Sequence, residues 1–340
     1  MNSMPVSIYL DQLHWIHLAQ AHTSHKNGER YKEAYQYLLT QREAGKIVCP
    51  LSLTHYMELY ATGNYRQRTD VAMVMVVLSG FRTIAPTSVL RRAEIEQALH
   101  TRFSKPEIPM RPKPFGLGAS YAATGENKMI KISGSDSSMA SFAAKVGGID
   151  KIKELERKFT AMAEFGVLRG PHESQVQQLR DKYDYAPEAA VEVARKRAAQ
   201  EEELAQHLIT NPSRRKKLDD IVTARYLYWE LLDPLMLALT KIGMSILDFL
   251  YLGREFITQF VHDIPTADVL VAFTNANLKN LNRTWKKNDI HDMDALAVAI
   301  PYCDIVVTEK HAYTQMLNAG MEQKYNTKLL RNIEDLLGVI

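Results

Sequence analysis

The stretch from Asn288 to Tyr313 constrains this chain most. Asn288-Asp289-Ile290-His291-Asp292-Met293-Asp294 is acidic, offers Asn288 or Asp289 as an N-cap, and is continued by Ala295, Leu296, Val298, Ala299 and Ile300 as a short apolar helix that Pro301 is expected to stop. Ile305, Val306 and Val307 then form a β-branched apolar run, the pattern of a strand buried on both faces of a parallel sheet. A helix that feeds such a strand runs antiparallel to it, so its first turns lie beside the strand's C-terminal end. Asp292 and Asp294 are therefore expected to approach Glu309, at the edge where open α/β sheets bind ligands. Asp304 precedes the strand and falls at the opposite edge.

Carboxylates gathered on one edge repel one another and raise each other's pKa unless a cation compensates. A hard divalent ion does this well, since Mg²⁺ or Mn²⁺ prefers oxygen donors and takes one or two carboxylates directly while water and phosphate oxygens complete its shell.

Composition narrows the class. The chain has 340 residues and 46% hydrophobic content, enough for one large or two ordinary packed domains. Its two cysteines, Cys49 and Cys303, make neither a disulfide framework nor a C-x-x-C zinc site, which favours a reducing compartment and a cytoplasmic location. The start lacks the basic flank and long apolar stretch of a secretory leader. Tyr226 to Leu252 is interrupted by Glu230, Asp233, Pro234, Lys241 and Asp248, which argues against a membrane span. A net charge of +3 permits a nucleic-acid partner without demanding one.

Taken in order, Ser7-Ile8-Tyr9-Leu10 predicts a strand ended by Asp11, and Leu13, Trp15, Ile16 and Leu18 predict a helix directly after it. Asp11 is thus either a strand-end carboxylate of a site or simply an N-cap. Tyr31 to Arg42 reads as a helix and Lys46 to Leu51 as a second buried strand. Ser52 and Thr54 open a helix that carries Glu58 one turn in. Val71 to Leu78 reads as a buried helix and Arg82 to Ala85 as a brief strand. Residues 105–148 hold four prolines, then glycines and serines, and predict a long loop. Helices are expected over 149–164 and 187–209, one or two more over 221–253, a strand over 267–273, and a closing helix over 327–340. Arg214-Arg215-Lys216-Lys217 is a basic cluster able to contact phosphates or to form a charged turn.

Together the ends of the chain resemble a PIN-like nuclease domain. The resemblance rests on Ile8-Tyr9-Leu10-Asp11, on Ser52 and Thr54 leading into Glu58, on Asp292 and Asp294 before an Ala-rich helix, and on Val306-Val307-Thr308-Glu309. It implies an α/β fold in which a parallel sheet is flanked by helices, built from residues 1–84 and 264–340, with 85–263 as a mainly helical insertion. It also implies metal-dependent hydrolysis of RNA phosphodiesters, with Asp11, Glu58, Asp292 or Asp294, and Glu309 binding Mg²⁺ or Mn²⁺ or orienting metal-bound water. Asp292 and Asp294 compete for the third position. Lys286, Lys287, Arg283, Lys310 and the Arg214–Lys217 cluster are the candidate phosphate contacts, and His291 and His311 are candidates for proton transfer.

The leading expectation is an endoribonuclease, by family analogy a toxin or antiviral defence effector held in check by a regulatory protein. An inactive PIN-like scaffold that binds a partner protein and a DNA nuclease are the alternatives. No membrane association is expected, and self-association is left open.

Overall fold

The run Val6–Leu10 forms strand β1, and in the computed structural model, which describes residues 4–281 and 283–340, this strand lies inside a four-stranded sheet. Its neighbours are β2 (Ile47–Val48) on one side and β5 (Ile305–Val307) on the other, with β6 (Lys328–Leu330) beyond β5. Every pairing is parallel, with Val6 opposite Ile47, Ile8 opposite Ile305, Leu10 opposite Val307 and Val307 opposite Leu330. The apolar runs predicted as buried strands at 7–10 and 305–307 are β1 and β5, while the run at 46–51 is a strand only over Ile47–Val48.

Strand β3 (Arg82–Ile84) pairs antiparallel with β4 (Phe115–Leu117). It also lies parallel beside the chain leaving β2, since the Leu51 N–H donates to the Arg82 carbonyl at 2.9 Å and the Ile84 N–H to the Leu51 carbonyl at 2.8 Å. The predicted loop over 105–148 is thus interrupted by β4, which the partnerless edge of β3 captures, and by two helices.

Most of the chain is helical. In order the helices are α1 (Gln12–His22), α2 (Lys32–Glu43), α3 (Leu53–Ala61), α4 (Tyr65–Ser79), α5 (Thr87–Phe103), α6 (Gly118–Thr124), α7 (Asp136–Val146), α8 (Ile149–Arg169) and α9 (Glu173–Tyr183). They continue as α10 (Glu188–Thr210), α11 (Leu218–Tyr226), α12 (Leu232–Lys241), α13 (Ile246–Leu250), α14 (Arg254–His262), α15 (Pro265–Leu278), α16 (Lys287–Tyr302), α17 (Lys310–Asn318) and α18 (Met321–Tyr325). A π-helical turn, Leu227–Leu231, joins α11 to α12.

Three expectations are corrected here. Residues 267–273 are helix, not strand: Val269, Leu270, Val271 and Phe273 lie fully buried within α15, and an apolar run enclosed on all sides carries no period that separates helix from strand. Pro301 does not stop α16, which ends at Tyr302; in a final turn the lost backbone hydrogen bond costs least. The tail is not a helix, because Leu329 and Leu330 are drawn to opposite faces of the sheet as part of β6, leaving only a 3₁₀ turn, Ile333–Gly338.

The sheet divides the core in two by its pleat. Tyr9, Val306 and Leu329 face one cluster, built with α5, α10–α12 and α14–α18. Ile8, Leu10, Ile305, Val307 and Leu330 face the other, built with α1, α2 and α4, to which Ala122 of α6 and Leu168 of α8 also belong. Residues 85–263 therefore share both cores with the two ends of the chain. Gly28 lets the turn before α2 lie on α1, where an added methyl would meet the Gln20 carbonyl carbon at 2.2 Å.

The connection β1–α1–α2–β2 covers the face of the second cluster, and β5–α17–α18–β6 covers the other face. The winding reverses between β1 and β5, so the crevice at the C-terminal ends of those strands is a topological switch point. Among the described residues no helix is long and apolar enough to cross a membrane.

Candidate active site

Asp11 and Thr308-Glu309 leave the two strands that flank the switch point. The Asp11 N–H extends the ladder by donating to the Val307 carbonyl at 3.0 Å, and Asp11 then caps the entry to α1. Its carboxylate accepts from Thr308 Oγ1 at 3.0 Å and, more weakly, from the Glu309 N–H at 3.4 Å. Burial pushes its pKa up, and these hydrogen bonds pull against that rise.

Glu58 reaches the same crevice because α3 is fastened to the end of β1. His55, fully buried, does the fastening: its Nδ1 accepts from the Ser52 N–H at 2.9 Å, so its Nε2 carries the proton and donates to the Leu10 carbonyl at 2.8 Å. Burial holds this imidazole neutral, with its pKa down at about 4. The Tyr9 hydroxyl adds a second tie, to Ser52 Oγ at 2.9 Å. One turn beyond His55, Glu58 is pushed up to about 8, first by burial and then by repulsion from Asp11 and Glu309, with Lys287 opposing.

Asp292, in the second turn of α16, is pushed up to about 9 by burial and by the charges of Asp11, Glu58, Glu309 and Asp289. Glu309, exposed at the start of α17, rises through burial and through Asp11. Four acids from four separate segments thus repel one another across one crevice.

Asp294 stands apart from them. It is closed in a bidentate ion pair with Arg197 of α10, at 2.6 and 2.9 Å, on a different side of α16 from Asp292. Of the two acids that competed for the third position, the structure brings Asp292 to the cluster.

The basic residues also separate. Lys287, in the first turn of α16, lines a cleft of about 220 Å³ together with Gln12, Glu58 and His291. Lys286 caps α16 and is exposed, and Lys310 is exposed at the start of α17. Arg283 is used internally, bonding Asn277 and Asp289. The Arg214–Lys217 cluster is an exposed 3₁₀ turn past the far end of α10. Ala190 of α10 lines the cleft, so the twenty residues of helix to Thr210 carry the cluster roughly 30 Å away. Arg215 there donates to the Leu208 carbonyl at 2.8 Å, and Arg214 bonds His207 at 3.0 Å. That cluster closes a helix end and does not belong to this crevice.

His291 is buried in the cleft wall, with its pKa lowered by burial. His311 instead bonds Asn277 Oδ1 at 3.0 Å, outside the cluster. Sequence reasoning missed His55, and it quoted Thr308 without foreseeing its hydrogen bond to Asp11. The Ser-x-x-His spacing at the start of a helix after a strand was the available signal for His55.

Among the described residues no group of three or more His, Cys, Asp or Glu side chains is placed so that it could hold a metal ion. The donor set at the switch point is nevertheless all oxygen, repulsive and short of compensating charge, which suits a largely hydrated hard cation taking one or two direct carboxylates. Comparison with protein-family models, with curated proteins and with solved structures finds no match.

Proposed function

We propose that this chain is a divalent-cation-dependent nuclease of PIN-like type that hydrolyses RNA phosphodiesters. The observation that carries the reading is the convergence of Asp11, Glu58, Asp292 and Glu309 at the topological switch point, where Glu58 and Asp292 are pushed up to about 8 and about 9. Burying carboxylates, and then setting them against one another, is costly in a native fold and is relieved by a bound cation. RNA as the substrate rests on the family resemblance.

Asp11 and Asp292 would hold Mg²⁺ or Mn²⁺, with Glu58 and Glu309 on its hydration shell. When bound, such an ion lowers the pKa of water and neutralises charge on a leaving oxygen. The chain's own residues prepare the site. Thr308 Oγ1 and the Glu309 N–H orient the Asp11 carboxylate and favour its ionised form. His55 fixes the α3 backbone, so Glu58 cannot withdraw from the strand end. Lys287 offsets the acids and offers a phosphate its cation. His291, kept neutral by burial, can pass a proton at the cleft wall.

The test is cleavage of labelled single-stranded RNA, with a DNA of the same sequence alongside, in Mn²⁺, in Mg²⁺ and in EDTA. Wild-type protein is expected to cut only with a cation, and D11N and D292N to cut at least a hundredfold more slowly. That no three of the described acidic, His or Cys side chains are placed to hold a metal ion favours one second reading, an inactive scaffold whose 85–263 segment binds a partner protein. Absence of both cleavage and cation binding would select it.

A further inference from the structure

The cleft beside the acids adjoins a second, of about 200 Å³. Three helices line both. Lys287 and His291 of α16 face the first and Asp294 and Val298 the second, a 4-3-4 spacing that keeps all four on one stripe of the helix. Met57 of α3 is common to the two clefts, and α10 contributes Ala190 to the first and Arg197 to the second. Seven residues along either α10 or α16 amount to about 10 Å, one to two nucleotide steps along an extended strand. The two clefts adjoin at Met57 along the same three helices.

The second compartment has apolar walls, including Ile84, Pro86 and Val298, and a polar pair, Arg91 and Glu230. That pair is only half closed: Arg91 Nη1 donates to Glu230 Oε2 at 2.5 Å, and among the described residues Glu230 Oε1 has no hydrogen-bond partner. Arg91 is 6% exposed and lines the compartment, and among the described residues its Nη2 has no hydrogen-bond partner. A buried guanidinium N–H left unbonded is costly, and a ligand acceptor would satisfy it. By contrast the Arg197–Asp294 pair beside it is closed through both carboxylate oxygens and acts as a wall.

We infer that the second compartment is a base pocket that takes guanine from the strand held at the acids, an inference that rests on the nuclease reading. Guanine pairs an edge of two acceptors, O6 and N7, with an edge of two donors, N1–H and the N2 amino group. The free donors of Arg91 match the first edge and the free oxygen of Glu230 the second. Adenine lacks the O6 acceptor, and cytosine and uracil are too small to reach both groups at once. The compartment's apolar faces cover the ring as base pockets do.

The test uses the whole chain and two readouts. Guanosine 5′-monophosphate is titrated by isothermal calorimetry against adenosine and cytidine 5′-monophosphates. The guanine nucleotide is expected to bind at least tenfold more tightly than the others, and E230Q, which sets an amide donor against guanine's own donors, to erase that margin. E230Q is the chosen variant because Glu230 is partly exposed, whereas loss of the buried Arg91 endangers folding. In parallel, sequencing the ends of RNA cut with Mn²⁺ is expected to place guanine at one fixed position, one or two nucleotides from the cut. Cutting with no fixed base, or equal binding of the three nucleotides, overturns the base pocket and leaves the nuclease reading intact. Selective binding of the guanine nucleotide without any cutting overturns the nuclease reading and keeps the pocket.

Discussion

Replacing Asp292 with Asn should stabilise the cation-free protein. The sign follows from proton linkage. Asp292 stands at about 9 in the native state against 3.8 as an ordinary aspartate, so the native state binds a proton that the unfolded chain releases, and stability falls as pH rises between those values. Each pH unit costs about 1.4 kcal/mol per fully affected group, an upper bound of about 4 kcal/mol at pH 7. The carboxylate is partly open to water and shares its protons with Glu58, so about 1–2 kcal/mol is the expected share, or about 2–4 °C in a chain of this size. Asn keeps the shape and removes the charge. Calorimetric melts in EDTA at pH 6, 7, 8 and 9 should therefore show wild type losing stability with rising pH and D292N losing less, with D292N the more stable at pH 8. Mn²⁺ should restore wild type and do little for D292N. A wild-type melting temperature flat from pH 6 to 9 in EDTA, with D292N no higher, would refute the burial and mutual repulsion of the acids on which the proposed cation site depends.

Other outcomes follow from individual contacts. H55A strands the Ser52 N–H and the Leu10 carbonyl inside the protein and should cost about 2–4 kcal/mol in urea unfolding. T308V keeps the shape of Thr308 but removes a hydrogen bond to the Asp11 carboxylate; because that bond holds the Asp11 pKa down, Mn²⁺ binding measured by calorimetry should move to higher pH. D294N leaves the partly buried Arg197 without its charge partner and should destabilise by about 1–3 kcal/mol in the same melts. K287A should weaken binding of a short RNA and reduce its salt dependence, whereas the double variant K216A/K217A should leave a hexanucleotide bound as before, the turn lying roughly 30 Å from the cleft.

What the sequence determined by itself is what depends on near neighbours along the chain. Ile8-Tyr9-Leu10 and Ile305-Val306-Val307 read as buried parallel strands because β-branched and aromatic residues without a polar face suit a strand covered on both sides, and the acids placed straight after them had to emerge at the same edge. Ser52 opening the helix of Glu58 was legible for the same local reason. Only the tertiary structure decided the rest. Asp292 and Asp294 are two residues apart on one helix and differ by which neighbour each meets, the acids of three other segments or Arg197 of a helix nearly a hundred positions away. The Val-rich run of α15 could be read as a strand until the helices around it enclosed it, and Leu329-Leu330 became a strand because β5 offered an unpaired edge. Arg214 to Lys217 show the same limit from the other side: their charge was visible in the sequence, but the length of α10 and its docking at the cleft set how far from the crevice they would lie. Periodicity records what a segment buries, while the choice of partner is a sum over contacts between segments that no local pattern contains.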